Sequence, residues 1–341
     1  MSGKPHRTDL GREDAVSVII PVFNRPAQLL ETVESVLNQA LPAAEILIVD
    51  DGSTDETPAV AGELARTHPG LVRVLSQRNA GVGAAREAGR LAAGGTFVQY
   101  LDSDDLLEPA KFEQQVAGLL AHPECVASYG PSAYREPDQG ETFPIRRTGE
   151  VLEKIFPGML AERWWPTMSP LFRKAALDRV GPWLPLKVNE DWEYDCRVGA
   201  LDLPLHWTPI RVATMRGHAG ARLSRHARLD AGRLRDQATA AESMLTSARV
   251  ARVAEGCAEF QHFAHRLFLL SRNCAACGLA PEAELLHELS GGIIQSGATL
   301  RRHRLFGRFA GFFGWRLAGL VALAAEQVFF TGAQKVSTQP A

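Results

Sequence analysis

Three things are scarce in this 341-residue chain, and each scarcity removes a class of function. The first is net charge. With 37 Lys and Arg against 39 Asp and Glu the formal balance is -2, so no whole-molecule field steers nucleic acid and any binding is local. The second is paired cysteine. Cys125, Cys196, Cys257, Cys274 and Cys277 are odd in number and show no disulfide-type spacing, which points to a reducing, cytoplasmic compartment. The CAAC at 274–277 has no second CxxC or His pattern to complete a metal site and reads as helix. The third is unbroken apolar length. A spanning helix needs about 20 consecutive apolar residues, whereas Arg308, Arg316 and Glu326 interrupt the richest stretch, LRRHRLFGRFAGFFGWRLAGLVALAAEQVFF. MSGKPHRTDLGREDA likewise holds no apolar run, so residues 1–15 are expected to be a polar tail and not a signal peptide.

What is present is apolar content in a regular order. VSVIIPVF, AEILIVDD, LVRVLSQ and TFVQYLD are strand-like runs. Helical patterns separate them, the first with Leu29, Leu30, Val33, Val36 and Leu37 at helical spacing. Alternating strands and helices predict an α/β fold, a mostly parallel sheet flanked by helices on both faces. In such sheets ligands bind beyond the carboxyl ends of the strands, and the polar clusters FNRP, DDGSTD and LDSDD all fall there. Residues 16–130 form the regular, strand-and-helix half of a domain reaching to 228. Residues 131–228 are less regular and complete its cleft. From 229 to 341 the chain is Ala-, Leu- and Arg-rich, a C-terminal helical extension with breaks expected near Gly278 and at the SGG of 290–292. Within it, residues 300–330 leave two readings open: basic and aromatic residues lying in a membrane interface, or an ordinary docking or oligomer contact.

The chemistry concentrates in LDSDDLLEP. Asp105 reads as the cap of the following helix. Asp102 and Asp104 then remain at a buried strand end, where two carboxylates raise each other's pKa unless a cation compensates. Hard oxygen ligands suit Mg²⁺ or Mn²⁺, and a D-x-D pair leaves room for substrate phosphates in the shell. Asp50 and Asp51 bring further carboxylates to the same edge, although an Asp/Gly/Ser turn also accounts for the backbone there.

Taken in order, VSVIIPVFNRPAQLLETVESVLNQ, EILIVDDGSTDET, RNAGVGAAREAG, FVQYLDSDDLLEP and NEDWEYDCRVG resemble the family 2 glycosyltransferases over residues 16 to about 225. The resemblance implies a GT-A fold and an inverting, metal-dependent sugar transfer from a nucleoside-diphosphate sugar, commonly a UDP-sugar. The acceptor would be a hydroxyl of a glycan or lipid-linked sugar, in polysaccharide or cell-envelope biosynthesis. It places Pro21, Phe23 and Asn24 at the base, with Asp51 accepting the base N–H. Asp102 falls near the ribose or metal shell, and Asp104 becomes the direct ligand of Mn²⁺ or Mg²⁺. Asp191 is implied as general base, with Glu190 beside it as an acceptor-binding residue and Asn189 where the family usually has Gly. TMRGHAGARLS implies His218 as a further metal ligand and Arg216 and Arg222 as phosphate partners, Arg222 standing where the family often has Asn. Arg86 orders its loop or approaches the diphosphate. Trp164 and Trp165 lie in the acceptor region, either as a sugar-stacking face or as core.

Three rival readings are weighed against this. Gly81 and Gly83 suggest a dinucleotide loop, but the third glycine position is Arg86 and the run does not follow the first strand. A nucleotidyltransferase needs a basic, Gly-rich triphosphate loop, which PVFNRPAQ is not. A catalytically silent sugar-nucleotide-binding or scaffold module is opposed by the intact Asp102, Asp104 and Asp191.

Overall fold

The computed structural model describes residues 12–136, 142–145, 147–217 and 229–336, with side chains described as far as residue 325. The chain divides into two compact units, Met1–Gly220 and Ala221–Ala341. The sequence reading put that boundary at 228, and both positions fall among residues 218–228, outside the described set.

The first unit opens with three β-α repeats: β1 (Val16–Val22), α1 (Pro26–Leu37), β2 (Glu45–Asp50), α2 (Thr57–Thr67), β3 (Val72–Ser76) and α3 (Val82–Ala92). There follow β4 (Phe97–Tyr100), β5 (Leu106–Leu107), α4 (Lys111–Ala121), β6 (Ala127–Tyr129), β7 (Ser132–Arg135) and β8 (Thr142–Pro144). The unit closes with α5 (Gly158–Ala161), β9 (Leu171–Arg173), α6 (Lys174–Val180), α7 (Glu190–Gly199), β10 (Leu205–Trp207) and β11 (Ala213–Arg216). Seven strands form the main sheet in the order β10-β6-β9-β4-β1-β2-β3. Its centre, β4-β1-β2-β3, is parallel, while β9 runs antiparallel between β4 and β6. Every residue of β1 and β2 is buried, as expected of parallel strands covered on both faces, and this is why their apolar runs do not alternate. Helix α3 sits tightly on the sheet at Gly89, where a Cβ would lie 2.3 Å from Ile19 Cγ2.

The α/β class with a mostly parallel, helix-flanked sheet is therefore the observed one. A second sheet, β5-β11-β7-β8, was not anticipated. It changes the role of Asp105. The helix after LDSDD begins only at Lys111, so Asp105 does not cap it. Its carboxylate instead accepts the backbone N–H of Arg216 at 2.9 Å and ties the LDSDD loop to β11.

The second unit is α8 (Ala231–Val250), α9 (Ala258–Ala276), α10 (Ala280–Ile293), α11 (Gly297–Phe313) and α12 (Trp315–Val336). Phe260, Phe263, Leu267 and Phe268 of α9 form its buried spine. The expected break at Gly278 is present, in left-handed geometry at φ 81°. The expected break at 290–292 is not, because α10 runs on to Ile293. Ser290 and Gly291 serve packing there. The Ser290 hydroxyl donates to the His287 carbonyl at 3.0 Å, and a Cβ on Gly291 would fall 2.7 Å from His303 Cε1.

Candidate active site

The site grows from the ends of three parallel strands. Val22 pairs with Asp50, so the chain leaves β1 and β2 at the same level. Their loops are then stitched together: Asn24 N–H donates to Ser53 Oγ at 3.0 Å, Thr54 N–H to Asn24 Oδ1 at 2.8 Å, and Arg25 N–H to Thr57 Oγ1 at 2.9 Å. Asn24 has φ 53°, a left-handed conformation that Asn tolerates well. Its side chain therefore builds the loop. Phe23 beside it is 43% exposed, and Pro21 is buried within β1. Asp51 is buried and accepts from Gln77 Nε2, Ala80 N and Gly81 N at 2.7, 2.8 and 2.9 Å. A carboxylate offers about four acceptor positions, which leaves room for about one further donor.

Tyr100 pairs with Ile19, so β4 delivers Asp102 beside the end of β1. Arg86, almost wholly buried on α3, is the hub: its Nη2 meets Asp102 Oδ1 at 2.7 Å and its Nη1 meets Glu190 Oε1 at 2.9 Å. One guanidinium thus joins the LDSDD loop to the start of α7. Asp104 is paired with Arg25, and the Arg216 guanidinium contacts the Asp104 carbonyl and Glu31. Burial pushes the Asp105 carboxyl well up, and the charges of Asp102 and Asp104 push it the same way.

Helix α7 carries the second acidic group. Asn189 precedes it at φ 59°, a backbone state that favours Gly and admits Asn, which explains how Asn stands where the related motif has Gly. Glu190, Asp191 and Glu193 occupy the first turn, where exposed N–H groups favour carboxylates. Asp191 Oδ1 accepts the Trp192 N–H at 2.7 Å, and Asp191 Oδ2 pairs with Arg163 Nη1 at 2.9 Å. The same Arg163 places Nε 2.8 Å from Asp195 Oδ2, which also accepts from Trp165 Nε1 at 2.8 Å. Arg163 thus spans two carboxylates on successive turns of one helix face. Burial works to raise the Asp191 carboxyl, but the guanidiniums of Arg163 and Arg86 outweigh it and the net shift is down. Burial, reinforced by the Asp191 charge, lifts Glu190 to about 7 against the pull of Arg86. Burial likewise lifts Asp195 to about 6.

One expectation changes. Trp164 and Trp165 are 2% and 1% exposed, their rings 4.4 Å apart and packed with Tyr129. They are core, with no free face for a sugar. His218 and Arg222 lie outside the described residues. Of the remaining residues, Asp102 and Glu190 meet through Arg86.

Whether a divalent cation suits this edge is a question of donor chemistry. Asp102 and Asp104 are hard oxygen donors, their side chains 33% and 18% exposed. Among the described residues no group of three or more His, Cys, Asp or Glu side chains is placed to hold a metal ion. Two carboxylates fit an ion of the Mg²⁺ type, which usually takes few protein ligands and completes its shell with water and phosphate oxygens.

Residues 17–179 match the sequence profile of Glycosyl transferase family 2. That segment of the chain belongs to the family. EpsH of Bacillus subtilis (strain 168) is 40% identical over 179 residues, which are 51% of this chain and 51% of EpsH. Chondroitin synthase of Escherichia coli is 41% identical over 104 residues, 30% of this chain and 15% of the synthase. The chain thus spans about half the length of EpsH and far less of the synthase. The crystal structure of S. aureus TarS 1–349 superposes with a TM-score of 0.63 at 17% identity, covering 92% of this chain and 91% of that one. A further TarS structure, in complex with UDP-GlcNAc, superposes with a TM-score of 0.59 at 17% identity over 86% and 91%. At that identity the likeness is one of fold, and its coverage extends into the helical unit.

The first unit also contains partners that the sequence reading did not single out. Asp195 had a signal, since it follows Asp191 by one helical turn in EDWEYDCR. Arg163 had none. It lies beside two tryptophans in an irregular stretch, and only the tertiary structure brings it to α7.

Proposed function

We propose that this protein is a glycosyltransferase that moves a sugar, with inversion, from a nucleoside-diphosphate donor to a hydroxyl of a glycan or lipid-linked acceptor. The observation that carries this reading is the Arg86 bridge, which ties Asp102 at the donor edge to Glu190, the neighbour of Asp191, in one ion-pair network. The family match to residues 17–179 supports it. The UDP-GlcNAc complex of TarS supports a UDP-sugar as donor.

In this reading Phe23 stacks on the base, Pro21 and Asn24 shape its pocket, and Asp51 takes a base N–H. Asp191 accepts the acceptor hydroxyl proton while that oxygen bonds to the anomeric carbon and the carbon–phosphate-oxygen bond breaks, the diphosphate leaving with the electron pair. A carboxylate suffices because the transition state is oxocarbenium-like and positioning matters more than basicity. The downward shift of Asp191 keeps it ionised and ready. Arg163 holds one of its oxygens, and the Trp192 N–H holds the other. Asp102 and Asp104, with His218, would hold Mn²⁺ or Mg²⁺, which when bound neutralises charge on the leaving diphosphate. Arg216 and Arg222 are assigned to phosphate oxygens, where a planar guanidinium pairs well.

The test is donor binding and turnover. UDP-sugars should raise the melting temperature, more so with Mn²⁺ present, and Asp104→Ala and Asp191→Asn should each severely impair transfer while keeping the fold. Full turnover by either variant would overturn the assignment.

A further inference from the structure

Helices α11 and α12 form a hairpin that turns at Gly314, at φ 84°. One face of it is firmly docked within the helical unit. His303, Phe306 and Ala310 of α11 and Ala318 of α12 are buried. The Phe306 ring lies 5.7 Å from Phe268 and 5.9 Å from Trp315. A Cβ on Gly319 would lie 2.2 Å from the Ala276 nitrogen, so α12 rests directly on the backbone of α9. Arg272 Nη2 donates to the Ala322 carbonyl at 2.9 Å.

The opposite face is apolar and exposed. Phe312 is 87% exposed, Leu305 69% and Phe313 61%, and Leu317, Leu320 and Val321 are each close to half exposed. A patch of this kind marks an interaction surface and not scattered surface hydrophobes. Its charge narrows the partner. Residues 297–325 hold Arg301, Arg302, Arg304, Arg308 and Arg316, all exposed, and no Asp or Glu, in a chain whose net charge is -2. Two copies meeting through the same patch about a two-fold axis would set these arginines against one another, which is repulsive. No helix among the described residues is long and apolar enough to cross a membrane.

We propose that the outer face of the α11–α12 hairpin lies in the plane of an anionic lipid surface, its arginines on headgroup phosphates and Leu305, Phe312, Phe313, Leu317 and Leu320 in the acyl boundary. An amphipathic helix with basic flanks and bulky apolar residues binds in this way, through apolar burial and attraction to anionic lipid together. The proposal stands apart from the catalytic reading, because it uses no residue of the family 2 domain.

The test is co-sedimentation of the full chain with vesicles of phosphatidylcholine alone and of phosphatidylcholine mixed with phosphatidylglycerol, alongside light scattering of the chain in solution. The wild type should bind the anionic vesicles and weaken with added salt. Each basic residue near the surface contributes about 1 kcal/mol, so the pair Arg301→Gln and Arg302→Gln should weaken binding roughly tenfold or more. Phe312→Ser with Phe313→Ser should weaken it independently. All four positions are solvent-facing, and an unchanged circular dichroism melt establishes that the variants fold. Absence of vesicle binding, or equal binding to both vesicle types, overturns the proposal. So does a solution dimer that the phenylalanine substitutions dissociate, since the second copy is then the occupant.

Discussion

In the first unit, the buried Arg86 and the half-buried Arg163 each lie between two carboxylates. In the helical unit two imidazoles, the half-buried His287 and the buried His303, stack 3.7 Å apart and only 5° from parallel. The first arrangement keeps charges inside by pairing them. The second keeps charge out: burial, and the neighbouring His303, push His287 down to about 4, and burial lowers His303 as well. The arginines of α11 and of early α12 face solvent instead. The difference separates two tasks. A domain that handles a charged donor must hold oriented charge at low exposure, which it can do only when each charge has a partner. A unit that packs helices and presents a surface gains nothing from interior charge.

Substitutions can break this contrast or sharpen it. The largest effect is expected from Asp191→Asn, which removes the proposed base and should lower kcat by about a hundredfold to ten-thousandfold while the melting curve holds. Next is Arg86→Met. It strands Asp102 and Glu190 as neighbours without their shared cation, and breaking a buried pair typically costs about 3–5 kcal/mol. For a domain of this size that is a fall of roughly 10 °C in the melting temperature by calorimetry. An unchanged melt would show that charge pairing does not hold this interior.

A third variant, Arg163→Met, tests the positioning of Asp191. Without the guanidinium the Asp191 carboxyl rises, so the acidic limb of the kcat/KM profile should move to higher pH, with kcat down about tenfold. A limb that stays in place means that Asp191 is not the titrating base. The smallest effect belongs to the helical unit. His287 titrates near 6.5 when unfolded and near 4 when folded, so between those values the unfolded chain binds the extra proton. The contribution is complete above 6.5 and is lost as pH falls toward 4. His287→Phe should therefore flatten the loss of stability between pH 7 and pH 5, read from melting of the full chain. If the variant keeps the wild-type slope, the stacked imidazoles are not its source.

Much of the family 2 domain was legible because its signals are local. Parallel strands buried on both faces must be continuously apolar, and EILIVD and VSVIIPV say so without any partner in view. The clusters FNRP, DDGSTD and LDSDD follow strand ends by construction, so their meeting at one edge follows from the βα order alone. Strand β9 was not legible. It is three residues long, Leu171–Arg173, and its antiparallel place between β4 and β6 depends on partners far away in the chain. Trp164 and Trp165 were ambiguous for a related reason, since an aromatic pair reads the same whether it faces a sugar or Tyr129. The Ser-Gly-Gly of 290–292 looked like a break because those residues disfavour helix, and packing against His303 overrode that preference.

By itself, the order of residues determined the α/β class, the edge where polar loops gather, the acidic pairs at 102/104 and 190/191, and a basic, apolar stretch near the C-terminus too interrupted to span a bilayer. These depend on periodicity and spacing, which are carried by neighbours in the chain. Only the tertiary structure decided that Arg86 joins Asp102 to Glu190, that Arg163 joins Asp191 to Asp195, that Asp105 ties a loop to β11, and which face of the α11–α12 hairpin stays exposed. Each of those is an encounter between residues distant in sequence, fixed by close packing and by the cost of leaving a buried charge alone.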